Sequence, residues 1–317
     1  MSETIRALVG SPGAPGCLAL TDVAGPTVAA GEVLVRPVAS SFNHGELRGA
    51  QNAPAGTRLG WDFVGHITDC GSDVNLLAVG DLVVGLSSKT LARGAWAQHI
   101  AVPANAVARM PATLDIDAMA TLPVAGLTAL HAVGGDLLGR RVLVTGASGG
   151  VGALAVQLAV AAGARVIAQV RRAERVDFAH DMGAHEVVLC SDGTHFDTLA
   201  PVDRVVDGVG GPILERAFAR LRPGGAAVTY GAAHTAHLSL SVWTFIQSSG
   251  ATLQGLHLDR TLTAEPANIG LARLLELVVT GRLKPAVSRV ADWSEAGPLA
   301  VEILERRIPG KAVIRIR

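Results

Sequence analysis

The stretch Val142-Leu143-Val144-Thr145-Gly146-Ala147-Ser148-Gly149-Gly150-Val151-Gly152-Ala153-Leu154-Ala155 constrains the fold more than any other part of the chain. Its branched residues read as a buried strand, its glycines as a sharp turn, and the Ala/Val/Leu run as an apolar helix. Glycines after a strand let the backbone approach a diphosphate with no Cβ in the way. The helix that follows opens with unpaired N–H groups and a partial positive charge, which suits an anion. Strand, loop and helix stand in the order this use requires. The candidate contacts are Gly146, Ser148, Gly149, Gly150, Val151 and Gly152.

Around this loop, strands alternate with helices of about ten residues. Strands are read at 141–145, 165–170, 186–189, 204–207 and 226–230, and helices at 151–162, 173–182 and 214–221. Such alternation predicts βαβ units with right-handed crossovers and a parallel, doubly wound sheet. Residues 1 to about 112 differ: short apolar runs at 33–38, 63–67, 82–86 and 98–102 are cut by Gly, Asp and Pro, which predicts a β-rich domain. A small-residue helical stretch at 118–133 joins the two textures. The tail adds helices at 269–280 and 296–306 and a strand at 311–316.

The chain has 317 residues, enough for two domains, with 49% hydrophobic and 17% charged side chains. The 27 basic and 27 acidic residues balance, so nothing in the charge points to nucleic acid or an acidic membrane. Cys17, Cys70 and Cys190 are far apart and odd in number, which suggests a reducing compartment and no metal knuckle. No basic-then-apolar leader opens the sequence, and the richest apolar stretch is interrupted by glycines. A cytoplasmic protein without a membrane span is expected.

The second strand of the alternating half bears on the cofactor. An acidic residue at its tip would hold a ribose 2′-hydroxyl. Here the tip carries Arg171 and Arg172, with Arg175 one turn on, and Glu174 lies beyond the tip among basic neighbours. Guanidinium groups suit a 2′-phosphate, so NADPH is the expected cofactor; the bland alternative is a solvated basic surface.

Read as T-G-x-x-x-G-x-G, the loop resembles the fingerprint of short-chain dehydrogenases; read as G-x-x-G-x-x-G, it resembles the cofactor loop of the quinone-reductase branch of medium-chain dehydrogenases. A short-chain enzyme needs Tyr-x-x-x-Lys, but the sole tyrosine, Tyr230, is followed four residues on by His234. GWDFVGHITDCGSDVNLLAVGDLVVGL (60–86) is similar to the N-terminal signature of medium-chain dehydrogenase/reductases. The segments 94–130, VVDGVGG (205–211) and GKAVIRI (310–316) resemble that family's linking segment, fourth strand and closing strand. The resemblance covers almost the whole chain and is closest to the zinc-free, zeta-crystallin-like quinone oxidoreductase branch. It implies an α/β chain with a GroES-like β-barrel catalytic domain (1–113 and 255–317) and a Rossmann NADPH-binding domain (114–254), with a cleft between them.

In zinc enzymes of the family, three positions hold the catalytic metal; the matching residues here are Asn43, Trp61-Asp62 and Val124. Neither the charge nor the softness of Asn, Trp or Val suits zinc, so no metal is expected. His44 and His66 do not restore a ligand set, and His66 reads as a structural strand residue. The resemblance further implies that Asn43 and Thr128 are catalytic residues near nicotinamide and substrate. Asn43 is either an amide donor to a carbonyl oxygen or a loop residue before His-Gly. Glu46 falls where relatives carry an acid, in a catalytic or a structural role. Asp207, Tyr230, Gly231, Leu256, His257 and Leu258 match cofactor-binding positions. Trp61 and Trp96 are candidate walls of the cleft, or core residues. Relatives with an enoyl-thioester substrate use a tyrosine as proton donor; the catalytic domain here has none, which leaves water. The implied activity is hydride transfer from NADPH to a quinone, enone or alkenal. The alternatives are an enoyl reductase of a secondary-metabolite pathway and a non-catalytic NADPH-binding relative. Family members pair through the Rossmann sheet edge, which implies a homodimer.

Overall fold

The structure is a computed structural model that describes residues 4–87 and 93–317. The chain forms two compact units, Met1–Leu127 with Asp259–Gly281 and Pro285–Arg317, and Thr128–Leu258 with Arg282–Lys284.

The first unit opens with a hairpin, β1 (Thr4–Gly10) and β2 (Leu18–Ala24), followed by β3 (Glu32–Ser41), α1 (His44–Asn52) and β4 (Asp62–Cys70). Next come β5 (Leu82–Leu86), β6 (Ile100–Pro103), β7 (Val107–Arg109), α2 (Ile116–Met119) and the start of α3 (Pro123–Val133). Along β3, Val33 and Val35 are buried while Arg36 is exposed, the period-two pattern of a half-buried strand. Their inward face meets Phe63, Ile67, Val83, Ile100 and Val102 in one core cluster. Helix α1 stands where the sequence reads as a loop: His-Gly-Glu-Leu-Arg-Gly carries two glycines. Tertiary burial of Leu47 and Ala50 overrides that weak propensity.

The second unit runs β8 (Arg141–Val144), α4 (Gly150–Ala161), β9 (Arg165–Val170), α5 (Val176–Asp181), β10 (Glu186–Leu189) and β11 (Val202–Asp207). It continues through α6 (Gly211–Ala219), β12 (Leu221–Thr229), α7 (Val242–Gln247) and β13 (Thr252–Gly255), and α8 (Leu258–Thr261) leads out of it after Leu258. Its sheet has the order β10-β9-β8-β11-β12-β13, with every pair parallel. That is the doubly wound order, which reverses direction between β8 and β11. Leu143, Ile167, Val205 and Ala227 are buried, as expected of strands covered on both faces. Helix α4 is apolar nearly all round and correspondingly buried from Gly152 to Val156.

The chain then returns to the first unit with α9 (Ala267–Val279), β14 (Val287–Asp292), α10 (Ala296–Leu304) and β15 (Lys311–Arg315). β15 pairs antiparallel with β3 and completes a sheet of order β14-β15-β3-β4-β5-β7, with β6 also on β3. The expected boundary at 113/114 differs from the one found at Leu127/Thr128. The reason is local: α2 packs on β3 and β4, and the Val124 N–H donates to Asp62. Residues 255–258, expected with the catalytic domain, lie in the second unit because the Leu256 N–H donates to Thr229 O at the end of β12.

Candidate active site

In the second unit, the cofactor-binding expectations all fall at the carboxyl ends of parallel strands. Gly146–Gly152 follow β8, Arg171–Arg175 follow β9, Asp207 ends β11, Tyr230 and Gly231 follow β12, and Leu256–Leu258 follow β13. The register sets Val144 beside Val206, Asp207 beside Thr229, and Thr229 beside Gly255, so these tips are level. Open parallel sheets bind ligands at this edge, where the strand order reverses.

The loop is built as its glycines demand. Gly146 has φ +62°, and a Cβ on Gly152 would lie 2.3 Å from Gly146 O, so the turn closes only with glycine there. Gly149 caps α4, and the first intrahelical bond is Ala153 N–H to Gly149 O at 2.9 Å. The amides of Gly150, Val151 and Gly152 precede it, so helix geometry provides them with no acceptor. Ser148, Gly150 and Val151 are half-buried and Gly149 is exposed, which leaves this corner open to an anion. The backbone fits a dinucleotide diphosphate.

Arg171 is exposed, and Arg172 and Arg175 are half-buried. Arg172 stands 3.9 Å from Glu174, which sets that acid against a guanidinium.

Asp207, which matches a cofactor-binding position, is built into the strand tips. Its carboxylate is fully buried and accepts from the Thr145 hydroxyl at 2.5 Å and the Thr229 hydroxyl at 2.8 Å. It also accepts the N–H groups of Val209 at 3.2 Å and Gly210 at 3.1 Å. Asp207 therefore ties together the ends of β8, β11 and β12. Burial raises its pKa, opposed by these hydrogen bonds. Tyr230 lies against Gly208, and burial, with the Asp207 charge adding to it, pushes its phenol pKa well up. A neutral phenol follows. His257 is exposed, and Leu256 and Leu258 are half-buried.

Sequence reasoning missed Thr145, Thr229 and Gln169. Gln169 is the one polar side chain in the apolar run Val166–Val170, a signal that could have drawn attention.

In the first unit, the three positions that match the zinc-ligand pattern do converge. Asn43 Nδ2 donates to Asp62 Oδ2 at 2.8 Å, and the Val124 backbone N–H donates to Asp62 Oδ1 at 2.8 Å. Ser41 donates to the same carboxylate at 2.5 Å, and Ser40 donates to the Asp62 carbonyl. A fourth partner comes from the far end of the chain. Lys311 Nζ bonds Phe42 O at 2.7 Å, Asn43 Oδ1 at 2.6 Å and Asp62 Oδ2 at 3.3 Å.

The donor inventory of this cluster is nearly used up. An ammonium has three hydrogens and all three are engaged; the Asn43 amide has two, directed at Asp62 and at Glu46 Oε2, 2.9 Å away. Glu46 also caps α1 by accepting the Asn43 N–H at 2.7 Å. Asn43 thus is a helix N-cap whose amide is held on both sides. The other oxygen of Glu46, Oε1, is buried and has no hydrogen-bond partner. Burial and then the Asp62 charge raise the Glu46 pKa, with Lys311 and Asn43 opposing. His44 is driven the other way: burial, then Arg306, Arg48 and Lys311, hold its imidazole down at about 4.

This donor set does not suit zinc. It offers an amide, one carboxylate already bonded to an ammonium, and a valine with no donor side chain. Among the described residues, no group of three or more His, Cys, Asp or Glu could hold a metal ion. His66 is half-buried on β4 opposite Arg36. Thr128, on α3, is 6% exposed. Trp96 is fully buried, edge-on to Phe42 with ring centroids 4.8 Å apart, and is a core residue; Trp61 is half-buried beside Gly45.

Known proteins resemble this chain in sequence and in fold. Residues 29–112 match the alcohol dehydrogenase GroES-like domain, and residues 150–269 match the zinc-binding dehydrogenase domain. The chain is 30% identical over 281 residues to the mouse (Mus musculus) NAD(P)H oxidoreductase RTN4IP1, mitochondrial, covering 81% of this chain and 70% of that one. It is 33% identical over 299 residues to the spectinabilin polyketide synthase system protein NorB of Streptomyces orinoci; that match covers 90% of this chain but only 13% of the larger protein. The structure of the quinone oxidoreductase from Coxiella burnetii matches with a TM-score of 0.85 at 26% identity, covering 99% of this chain and 100% of that one. With the two domain matches in order and a parallel sheet of doubly wound order, the chain belongs to the medium-chain dehydrogenase/reductase family, of the quinone oxidoreductase type, and is an oxidoreductase served by a nicotinamide cofactor.

Proposed function

We propose that this protein is an NADPH-dependent, zinc-free reductase that passes hydride to a quinone or to the conjugated double bond of an enone or alkenal. The observation that carries the proposal is the cluster of Asn43, Asp62 and Lys311, where a buried ammonium stands among the positions that match a zinc-ligand pattern. Alcohol oxidation in this family relies on a Lewis acid to polarise oxygen. A substrate made electron-poor by its own conjugated carbonyl needs alignment and electrostatic support instead.

When bound, the reduced nicotinamide supplies the hydride. The amides of Gly150, Val151 and Gly152, with Ser148, hold the diphosphate, and Arg171, Arg172 and Arg175 hold the 2′-phosphate. Tyr230, Gly231, Leu256, His257 and Leu258 border the nicotinamide. Asn43 and Thr128 are the proposed catalytic residues. Asn43 acts as a fixed dipole, since Lys311, Glu46 and Asp62 set its orientation. The proton at the substrate carbon comes from water.

The test is to mix the protein with NADPH and a panel of quinones, enones, alkenals and enoyl thioesters and follow the reduced-nicotinamide absorbance. Oxidation with a quinone, enone or alkenal supports the proposal. Saturable NADPH binding without oxidation across the panel would make the protein a binding relative. Turnover confined to enoyl thioesters would favour a second reading, an enoyl reductase, which the match to a segment of NorB motivates.

We also propose a cytoplasmic homodimer. Cys17, Cys70 and Cys190 are free thiols, in keeping with a reducing compartment. The strand β13 ends its sheet, and the α7 residues Val242, Trp243, Phe245 and Ile246 just before it are 41–75% exposed. A second copy pairing along β13 would cover both features.

A further inference from the structure

The glycine loop is held by a side chain from the neighbouring strand. Gln169, on β9, is 3% exposed, and its carboxamide is bonded at both ends. Its Oε1 accepts the Gly146 N–H at 2.8 Å, and its Nε2 donates to Cys190 O at 2.6 Å. Its backbone carbonyl accepts the Ala147 N–H at 3.0 Å. Only one orientation of the amide satisfies both partners, because Gly146 brings a hydrogen and Cys190 a lone pair.

Two loops at the same edge of the sheet are joined this way. The first is the loop after β8, whose later amides face the diphosphate. The second, 190–194, leaves the sheet beside the arginine turn, because Leu189 stands opposite Val170. That second loop is knitted locally: the Gly193 N–H donates to Cys190 Sγ at 3.0 Å, and Asp192 accepts the Thr194 N–H at 3.0 Å. Its attachment to β9 is the Gln169 amide together with the Cys190 N–H to Val170 O, at 2.9 Å.

We propose that Gln169 is a positioning residue for the dinucleotide. It turns the Gly146 N–H inward, aims the amides of Gly150 to Gly152 outward, and holds the 190–194 loop in register with them. The inference rests on the nicotinamide assignment and is independent of the substrate. An apolar replacement leaves a part-buried N–H and a buried carbonyl without the Gln169 partner, a change large enough to move the loop.

The experiment compares wild type with Gln169→Leu and Gln169→Glu. The dissociation constants for NADPH and NADH are measured by fluorescence, amide exchange at 146–147 is measured in unliganded protein, and kcat is measured at saturating cofactor. Q169L is expected to raise the dissociation constant about tenfold, the size of one lost buried hydrogen bond, and to speed exchange at Gly146 while kcat at saturation stays unchanged. Q169E keeps the acceptor for Gly146 and, while protonated, the donor for Cys190. Its affinity, taken as a ratio to wild type at each pH, is expected near one at low pH and to weaken as the buried acid ionises. Unchanged binding and exchange in Q169L would overturn the inference. If Q169L fails to fold, the pH series of Q169E decides: a flat series overturns it. Wild type that binds neither nucleotide overturns the cofactor assignment and the inference together, whereas wild-type binding with unchanged variants overturns the inference alone.

Discussion

The Lys311 ammonium lies 3.3 Å from the Asp62 carboxylate, with both side chains buried. Two charges taken out of water need each other and further hydrogen bonds, and here Ser41, Asn43, Phe42 and Val124 provide them. Replacing Lys311 with Met should cost about 3–5 kcal/mol in urea unfolding, since it strands a buried carboxylate. The double variant Lys311→Met with Asp62→Asn should recover part of that loss. Equal stability of K311M and wild type would show that the pair is not stabilising as described.

Stability should depend on pH from two directions. The folded pKa of His44 is depressed to about 4 from 6.5, so its contribution is fully present above 6.5 and is lost as pH falls toward 4. The folded pKa of Glu46 is raised, so its contribution is present below the ordinary value of 4.5 and is lost as pH rises through the folded value. The two windows overlap between 4.5 and 6.5 with opposite signs, so urea midpoints should change little there and fall as pH rises above 6.5. Glu46→Gln should remove that alkaline fall and uncover the His44 loss below 6.5, whereas His44→Gln should extend the Glu46 fall down toward 4.5.

Cofactor choice should rest on the turn after β9. Arg171→Ala and Arg172→Ala should each lower kcat/KM for NADPH by about ten- to a hundredfold and leave NADH nearly unchanged, as expected for lost charge-assisted bonds. Equal effects on both cofactors would place the 2′-phosphate elsewhere.

The apolar face before β13 should be where copies meet. Trp243→Asp introduces a charge at a position 65% exposed in the single chain, so it should leave the fold intact and shift the mass measured by light scattering from dimer to monomer. A wild type that is monomeric at micromolar concentration would remove this surface from the account.

How much of this was legible depended on the range of the contacts. The strand at 141–144 and the helix from Gly150 could be read because branched residues, glycines and small apolar residues each act locally. The convergence of Asn43, Asp62 and Val124 was legible as a pattern of missing ligands. What replaces them was not, because Lys311 lies 249 residues from Asp62 and meets it only through the pairing of β15 with β3. The engaged state of Asn43 was hidden for the same reason: its sequence neighbours show a loop residue, while its partners come from three elements. Gln169 was passed over although it is the one polar residue in the apolar run Val166–Val170, and its role depends on β10 lying beside β9.

The central claim is hydride transfer from NADPH without zinc, and one measurement tests it most directly. Purified protein is assayed for zinc by mass spectrometry and, before and after chelator treatment, for NADPH oxidation with a quinone or enone. The account expects no stoichiometric zinc and a rate that the chelator leaves unchanged. One zinc per chain, with activity abolished by its removal, would contradict it.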